Sequence, residues 1–597
     1  MNLKKKVYSI LDSIRICFKC ASLETCICII LSLIHSLLPA FLVQFNSEFI
    51  NSVLKYYQKQ GDIHQIVITT IKLSIVFFMT FFHVVIMRLL NEHIAIHLRN
   101  KFNPMIVNKC INLKYEYIED GETCDLINRI LRYPGLDVLQ TTFQNLLRAM
   151  EIVIQVILIG VLMIKQVWWM IPVIFISMIP LVIIAVLSSR EKYEVVRWNS
   201  ELARKSNYVE FDVLRSRNSA SERSLFGYSK HYNDRFEEYF IKSVKKEREV
   251  IIKWLVRIQL SGVLVTAVIF LIGFALFGHL RASEISLGFF ISIVQSLFSL
   301  ENILVNDVRN TIAQLVEEQE YFKDITKFSG LDEESKEKIE DSAETEIETI
   351  EFKDVYFKYP GTERYILNGV SFKIDKGKHY AIVGKNGSGK TTITKLLLRL
   401  YKIDSGEILI NGKNIYDYST EKIHSMFSVV YQDYAKYAIT VRENIGIGNL
   451  KNYTQEKIEK VVDGLGLKEV IEKLPNGYDT PLGKVLENGV DLSGGQWQRV
   501  ALARTLIREN AVKILDEPTA ALDPIQETEL YRNYGKIAKD STTVFISHRL
   551  GSTKLADTIL LIDDGKVLSS GSHEELMNQY GLYREMFCKQ KEWYSEE

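Results

Sequence analysis

The sequence predicts a multi-domain chain: an all-α domain of six membrane-crossing helices, followed by an α/β domain built around a phosphate-binding loop. Three observations carry that reading. Apolar residues gather into six long runs, all before residue 306. An acidic stretch without apolar periodicity, DITKFSGLDEESKEKIEDSAETEIE at 324–348, then interrupts the chain. Beyond it, alternating strand sequence (TIEFKDVYFKY) leads into AIVGKNGSGKTT at 381–392. The expected organisation is a membrane domain over 1–323 with two long cytoplasmic loops, a linker over 324–348, and a nucleotide-handling domain over 349–597.

At 597 residues the chain is too long for one ordinary domain. Its formal net charge of zero argues against a nucleic-acid partner. Cys17, Cys20, Cys26 and Cys28 lie close together, but no second Cys/His pair with suitable spacing completes a zinc site, so free thiols are expected. Lys4, Lys5 and Lys6 resemble the start of a signal peptide. The apolar run lies too far downstream and no small-residue cleavage site follows, so it reads as the first membrane span.

Roughly 20 apolar residues cross a ~30 Å hydrocarbon layer. The candidate spans are 25–44, 66–87, 147–164, 168–187, 255–278 and 286–305, the last interrupted by Gln295 and Glu301. Lys4, Lys5, Lys6, Arg15 and Lys19 precede the first span and place the N-terminus in the cytoplasm. The joints at 45–65, 165–167 and 279–285 then lie outside, with Trp168 and Trp169 at the outer interface. The inner stretches 88–146 and 188–254 are too long for turns, so the membrane helices should continue into the cytosol. Each has a break, at 113–130 and 215–236, where a short transverse helix is expected. Lys72, Gln155, Gln259, Gln295 and Glu301 are costly against lipid and should face the bundle interior, Lys72 with reach to the interface.

In the second half, strand YAIV runs into Gly384–Thr391, which matches G-x-x-x-x-G-K-[ST] between a strand and a helix. Gly384, Lys385, Asn386, Gly387, Ser388 and Gly389 form a loop whose amides can wrap phosphates. Lys390 adds a point charge, the Thr391 hydroxyl a Mg²⁺ ligand, and Thr392 completes the ATP-binding run. ILDEP at 514–518 ends an apolar strand in Asp516, placed for Mg²⁺. Glu517 follows on the opposite side, placed to orient or deprotonate water. Lys513 interrupts that apolar run.

Together with LSGGQ at 492–496, these residues make 349–590 resemble the α/β P-loop ATPase (ABC) nucleotide-binding domain of ATP-binding-cassette transporters. The resemblance implies ATP and Mg²⁺ as cofactors, and it implies further roles. Tyr359 stacks on adenine, Gln432 contacts Mg²⁺ and water, and His548 contacts the γ-phosphate. Asp523 lies in the loop that crosses a dimer. It also implies that Ser493, Gly494, Gly495 and Gln496 close over ATP held by a second copy of the chain, so that a homodimer contains two complete sites.

Six spans fused ahead of one cassette resemble an exporter half-transporter. The breaks at 113–130 and 215–236 would rest beside Gln432 and transmit cassette closure to the helices. Trp497 in GGQWQR and the stretch YQDYAKYAITVRENIGIGN (431–449) are similar to bacterial exporters of lanthipeptides and related bacteriocins. Expected partners are a second copy, membrane lipids and an exported peptide or small amphipathic substrate, at the cytoplasmic membrane. A lipid flippase or multidrug exporter is the alternative. No cysteine-protease domain precedes the spans, so leader removal is not expected of this chain.

Overall fold

The computed structural model describes residue 3 and residues 5–131, 137–164, 168–216, 219–334, 346–450, 452–484, 486–508, 512–517, 541–547, 552–579 and 581–595. The chain divides into two compact units: Met1–Leu113 with Asp120–Asp332, and Lys114–Glu119 with Glu333–Glu597.

The first unit is helical. Its elements are α1 (Asp12–Cys20), α2 (Ser22–Tyr57) and α3 (Ile63–Ile111). After the short α4 (Tyr115–Glu119), which packs with the other unit, come α5 (Gly121–Leu131), α6 (Val138–Met163), α7 (Met170–Asn207) and α8 (Ala220–Phe226). The last three are α9 (Ser229–Arg281), α10 (Leu287–Asn302) and α11 (Arg309–Gly330). Among the described residues six helical stretches are long and apolar enough to cross a membrane, and they contain the six expected spans save for their fringes. The joint 165–167 lies outside the described residues. Two of these helices start on a side-chain cap: Asp62 caps α3 by accepting from the His64 N–H, and Ser286 caps α10 by accepting from that of Phe289. Large apolar side chains such as Phe77, Phe81 and Phe274 are exposed. Small residues permit close approach elsewhere: a Cβ on Gly288 would stand 2.5 Å from the Ser47 carbonyl oxygen of α2.

The two expected breaks are helix interruptions. The first yields α4 and α5. The second yields α8, ended by Gly227 at φ 61°, a left-handed conformation that glycine adopts without strain. Helix α11 overruns the start of the expected linker at 324, because Ile325 and Phe328 continue its apolar face into the core of this unit.

The interior polar residues behave unequally. Gln155 is buried, Gln295 accepts from Asn46 at 3.1 Å, and Glu301 pairs with the Thr266 hydroxyl. Lys72 reaches Glu48 at 2.7 Å. Gln259 is exposed to a cavity of about 200 Å³ that it lines with Ser188 of α7, Trp254 of α9 and Arg309 of α11.

The described residues of the second unit form two sheets. One is antiparallel, in the order β2 (Leu367–Asp375), β1 (Thr349–Phe357), β4 (Ser405–Ile410), β5 (Lys413–Asn414). The other runs β10 (Lys566–Gly571), β9 (Thr558–Asp563), β3 (His379–Gly384), β8 (Thr543–Ile546), β7 (Val512–Asp516), β6 (Phe427–Val430). All its pairs are parallel except β10 with β9. Buried parallel strands read as continuous apolar runs, as in β8, TVFI. Lys513 is tolerated in the equally buried β7 because its ammonium donates to Ser541 Oγ at 2.7 Å. The helices of this unit include α12 (Lys390–Leu397), α13 (Thr420–Met426), α14 (Val441–Gly446), α15 (Gln455–Gly464), α16 (Lys468–Glu472) and α17 (Gly494–Leu506).

Candidate functional site

Parallel strands deliver their carboxyl ends to one edge of the sheet, and that edge is where α/β sheets bind ligands. Register fixes which residues meet there. Ile382 pairs with Ile546, Asp516 with Ile546, and Val430 with Leu515. The loop after β3, the carboxylates ending β7 and the segment after β6 that holds Gln432 therefore lie side by side. Glu517 is tied in by its N–H, which donates to the Ile546 carbonyl at 2.9 Å.

The loop is shaped by glycine. A Cβ on Gly384 would come within 1.9 Å of the Ile562 carbonyl oxygen, and Gly389 (φ 102°) would meet Leu367 at 2.6 Å. Lys385 and Asn386 are exposed, whereas Ser388, Lys390 and Thr392 are buried. The Lys390 ammonium donates to the carbonyls of Gly384 (3.1 Å) and Lys385 (2.8 Å), which holds it within the curve of the loop.

Burial pushes the Asp516 carboxyl up to about 6, the Thr391 hydroxyl and Lys390 oppose the rise, and the neighbouring Glu517 adds to it. The Glu517 carboxyl is also raised by burial and drawn back by Lys390, whose own ammonium burial lowers. Glu517 has φ 47°, a strained backbone for a non-glycine residue, and strain of this kind concentrates at functional sites. Among the described residues Asp516 Oδ1 is buried without a hydrogen-bond partner. A buried carboxylate oxygen beside a threonine hydroxyl, with a glutamine amide at the adjoining strand end, is an oxygen donor set that suits a hard divalent cation.

Tyr359 joins this edge through its hydroxyl, 3.1 Å from Thr392 Oγ1, and packs edge-on to Tyr401. Here sequence reasoning missed a cluster. Glu119 of α4 accepts from Lys395 (2.7 Å), Tyr115 (2.8 Å) and Tyr401, and the Lys395 ammonium lies over the rings of Tyr115, Tyr359 and Tyr401. Burial alone would raise the Glu119 carboxyl, but these three donors hold it below its usual range. The contacts of that break that the structure shows lie on the Tyr359 side of the site.

Ser493 is the N-cap of α17 in a reciprocal capping box: its hydroxyl accepts from the Gln496 N–H at 3.3 Å, and Gln496 Oε1 accepts from the Ser493 N–H at 2.9 Å. Ser493 and Gly494 are exposed, and Gly495 and Gln496 are half-buried. Among the described residues no hydrogen bond or ion pair joins 492–496 to the loop 384–392. Trp497 is fully buried and donates to Asp491 at 3.0 Å, so it anchors the signature turn from within the core. Arg504 was also missed. It donates to Ala435 and Asn444, while the Tyr434 hydroxyl donates to Gly494, stitching the segment after Gln432 to α17. His548 and Asp523 lie outside the described residues.

Fold and site together define an ATPase with a fused membrane domain. Residues 367–520 match the family model described as ABC transporter. The fold matches a solved bacterial Atm1-family ABC exporter with ATP bound at a TM-score of 0.75, 21% identity, covering 95% of this chain and 99% of that one. Residues 367–520 thus carry an ABC transporter ATPase domain, and the fold of the chain is that of an ABC exporter, with long apolar helices ahead of one nucleotide-binding domain. The chain is 28% identical over 577 residues to the subtilin transport ATP-binding protein SpaT of Bacillus subtilis, spanning 93% of this chain and 90% of that relative. It is also 42% identical over 241 residues to the ATP-dependent lipid A-core flippase of Haemophilus influenzae, 40% of each chain.

Proposed function

We propose that two copies of this chain form an ATP-driven exporter of a modified peptide, of the lanthipeptide or bacteriocin kind, across the cytoplasmic membrane. The N-terminus and cassette are cytoplasmic in this reading, with a membrane domain over 1–323, a linker over 324–348 and a cassette over 349–597. One observation carries the cargo class. The likeness to the subtilin transporter extends over 577 residues, more than either half of the chain holds, so it runs through the helices that cargo must pass. The flippase likeness has higher identity but covers 241 residues.

In the ATP sites, the amides of 384–390 and the Lys390 ammonium bind the phosphates, and Tyr359 stacks on the base. Thr391, Gln432 and Asp516 would hold Mg²⁺, which neutralises phosphate charge when bound. Glu517 orients and deprotonates the attacking water, and His548 contacts the γ-phosphate. The exposed N-terminus of α17, framed by the Ser493–Gln496 capping box, presents the N–H groups of Gly494 and Gly495 and the Ser493 side chain to the ATP held by the partner copy, with Asp523 beside it. Closing the pair would move α4 through its Glu119 contacts and tip the helices from inward-open to outward-open.

The test is uptake into inside-out vesicles containing the purified protein. A leader-bearing lanthionine peptide should accumulate with ATP and stimulate hydrolysis, with no effect when Glu517→Gln is used. If fluorescent lipids flip at wild-type rates and no peptide accumulates, the flippase reading replaces this one.

A further inference from the structure

We propose that His35, His83 and Glu151, one from each of α2, α3 and α6, form a binding site in the membrane half for a zinc-class divalent transition-metal ion. These residues belong to three of the six membrane-crossing stretches. An ionisable group at that depth is costly unless it has a partner or a task.

The geometry is that of ligands gathered on one point. One ligand atom from each residue lies within 4.8 Å of the others. The two imidazoles are stacked, ring centres 3.9 Å apart and 4° from parallel. His35 Nδ1 is 3.3 Å from Glu151 Oε2, and His83 Nε2 is 3.9 Å from Glu151 Oε1. Zinc takes nitrogen at about 2.0–2.1 Å in a tetrahedron, which sets ligand atoms about 3.3 Å apart. Because an ion lies in the plane of each ligating imidazole, one of the two parallel rings must turn out of the stack for both nitrogens to reach it.

Three further features separate this cluster from an ordinary buried hydrogen-bond network. Both nitrogens of His83 are buried without a hydrogen-bond partner among the described residues, which is costly unless something occupies them. Two imidazoles and one carboxylate are the donor set of open zinc sites, where the fourth position is left for water or another ligand. That position has room, because the cluster lines a cavity of about 560 Å³ together with Arg88, Asn91, Glu92 and Arg148.

Charge and outer partners agree. Arg148 donates to Glu151 Oε2 at 3.0 Å and also pairs with Asp307, an arrangement that orients the carboxylate. Arg88 and Arg148 against Glu92, Glu151 and Asp307 leave one negative charge when the histidines are neutral. A divalent ion is favoured there, and so to a lesser degree is a proton. An ion held by three helices favours whichever arrangement of them brings the ligands together, and so biases the transport cycle.

The probe is Co²⁺ added to untagged, nucleotide-free, chelator-stripped full-length protein in lipid nanodiscs. One Co²⁺ should bind per chain, with the visible bands of a four-coordinate nitrogen/oxygen site and no sulfur charge-transfer band. His35→Gln and His83→Gln should each weaken binding at least tenfold while retaining ATP hydrolysis. A variant with Cys17, Cys20 and Cys28 changed to Ser should bind as wild type. Zinc-edge X-ray absorption on the wild type should show imidazole ligands, a readout that needs no variant to fold. Absence of stoichiometric Co²⁺ binding, sulfur in the ligand shell, or binding untouched by His83→Gln would overturn the proposal; titration of the cluster by protons alone is the result such a failure would leave.

Discussion

Asp516 and Glu151 are both buried carboxylates beside a basic group, Lys390 in one unit and Arg148 in the other, yet they are held in opposite ways. Asp516 is placed by backbone: it ends a parallel strand whose register against β6 and β8 fixes what lies beside it. Glu151 is placed by side chains on helix faces that meet from distant parts of the chain. The ATP-binding edge thus depends on strand register and loop conformation, and the membrane cluster on helix packing. The first should fail sharply when a loop residue changes, the second gradually when a helix shifts.

The largest effect expected is at the loop. Lys390→Ala should lower ATP hydrolysis by roughly 100- to 1000-fold, the scale of removing one preorganised phosphate or oxyanion donor. Glu517→Gln should reduce turnover as severely while leaving ATP binding intact, and a nucleotide-bound dimer should become visible by size exclusion. Unchanged turnover in either would break the assignment.

Trp497→Ala removes a fully buried ring and its bond to Asp491. It should cost the cassette about 3–5 kcal/mol by thermal or denaturant unfolding. Cargo preference should not change in the folded fraction, because the ring faces the core of this unit.

A smaller effect concerns pH. The Asp516 carboxyl sits near 6, above its ordinary 3.8, so the folded cassette favours its proton. This group stabilises the nucleotide-free fold fully below about 3.8, and that contribution is lost as pH rises through about 6. Cation binding runs the other way, because it needs the carboxylate. Apparent affinity for Mg²⁺ with ATP should therefore fall as pH drops below about 6, by up to about tenfold per unit. Asp516→Asn should flatten that slope; a slope unchanged in Asp516→Asn would contradict it.

The smallest effect is at Glu119. Glu119→Gln weakens contacts to Lys395, Tyr115 and Tyr401 at a partly exposed site. It should change stability by no more than about 1 kcal/mol. Stimulation of ATP hydrolysis by cargo should fall more than basal hydrolysis does.

What was legible in the sequence follows from the same contrast. Gly384–Thr391 is contiguous, with its strand and helix on either side, so pattern and structure coincide. Asp516 and Glu517 end a readable apolar strand. His35 and Glu151 are 116 residues apart, and no local period links them; only packing does. Trp497 reads as a mark of cargo when compared by motif, yet it is a core residue of the cassette. The placement of 114–119 with the second unit was likewise hidden, because Tyr115 and Glu119 look like solvated loop until Tyr401 and Lys395 are brought to them.

The most direct measurement is complementation between two inactive chains. Dimers of Lys390→Ala alone, or of Ser493→Arg alone, should have little ATPase activity. Mixed dimers isolated with two different tags should regain about half of the wild-type rate, because one intact loop then faces one intact signature turn. A mixed dimer as inactive as its parents would show that each chain completes its own site, and the account would fail.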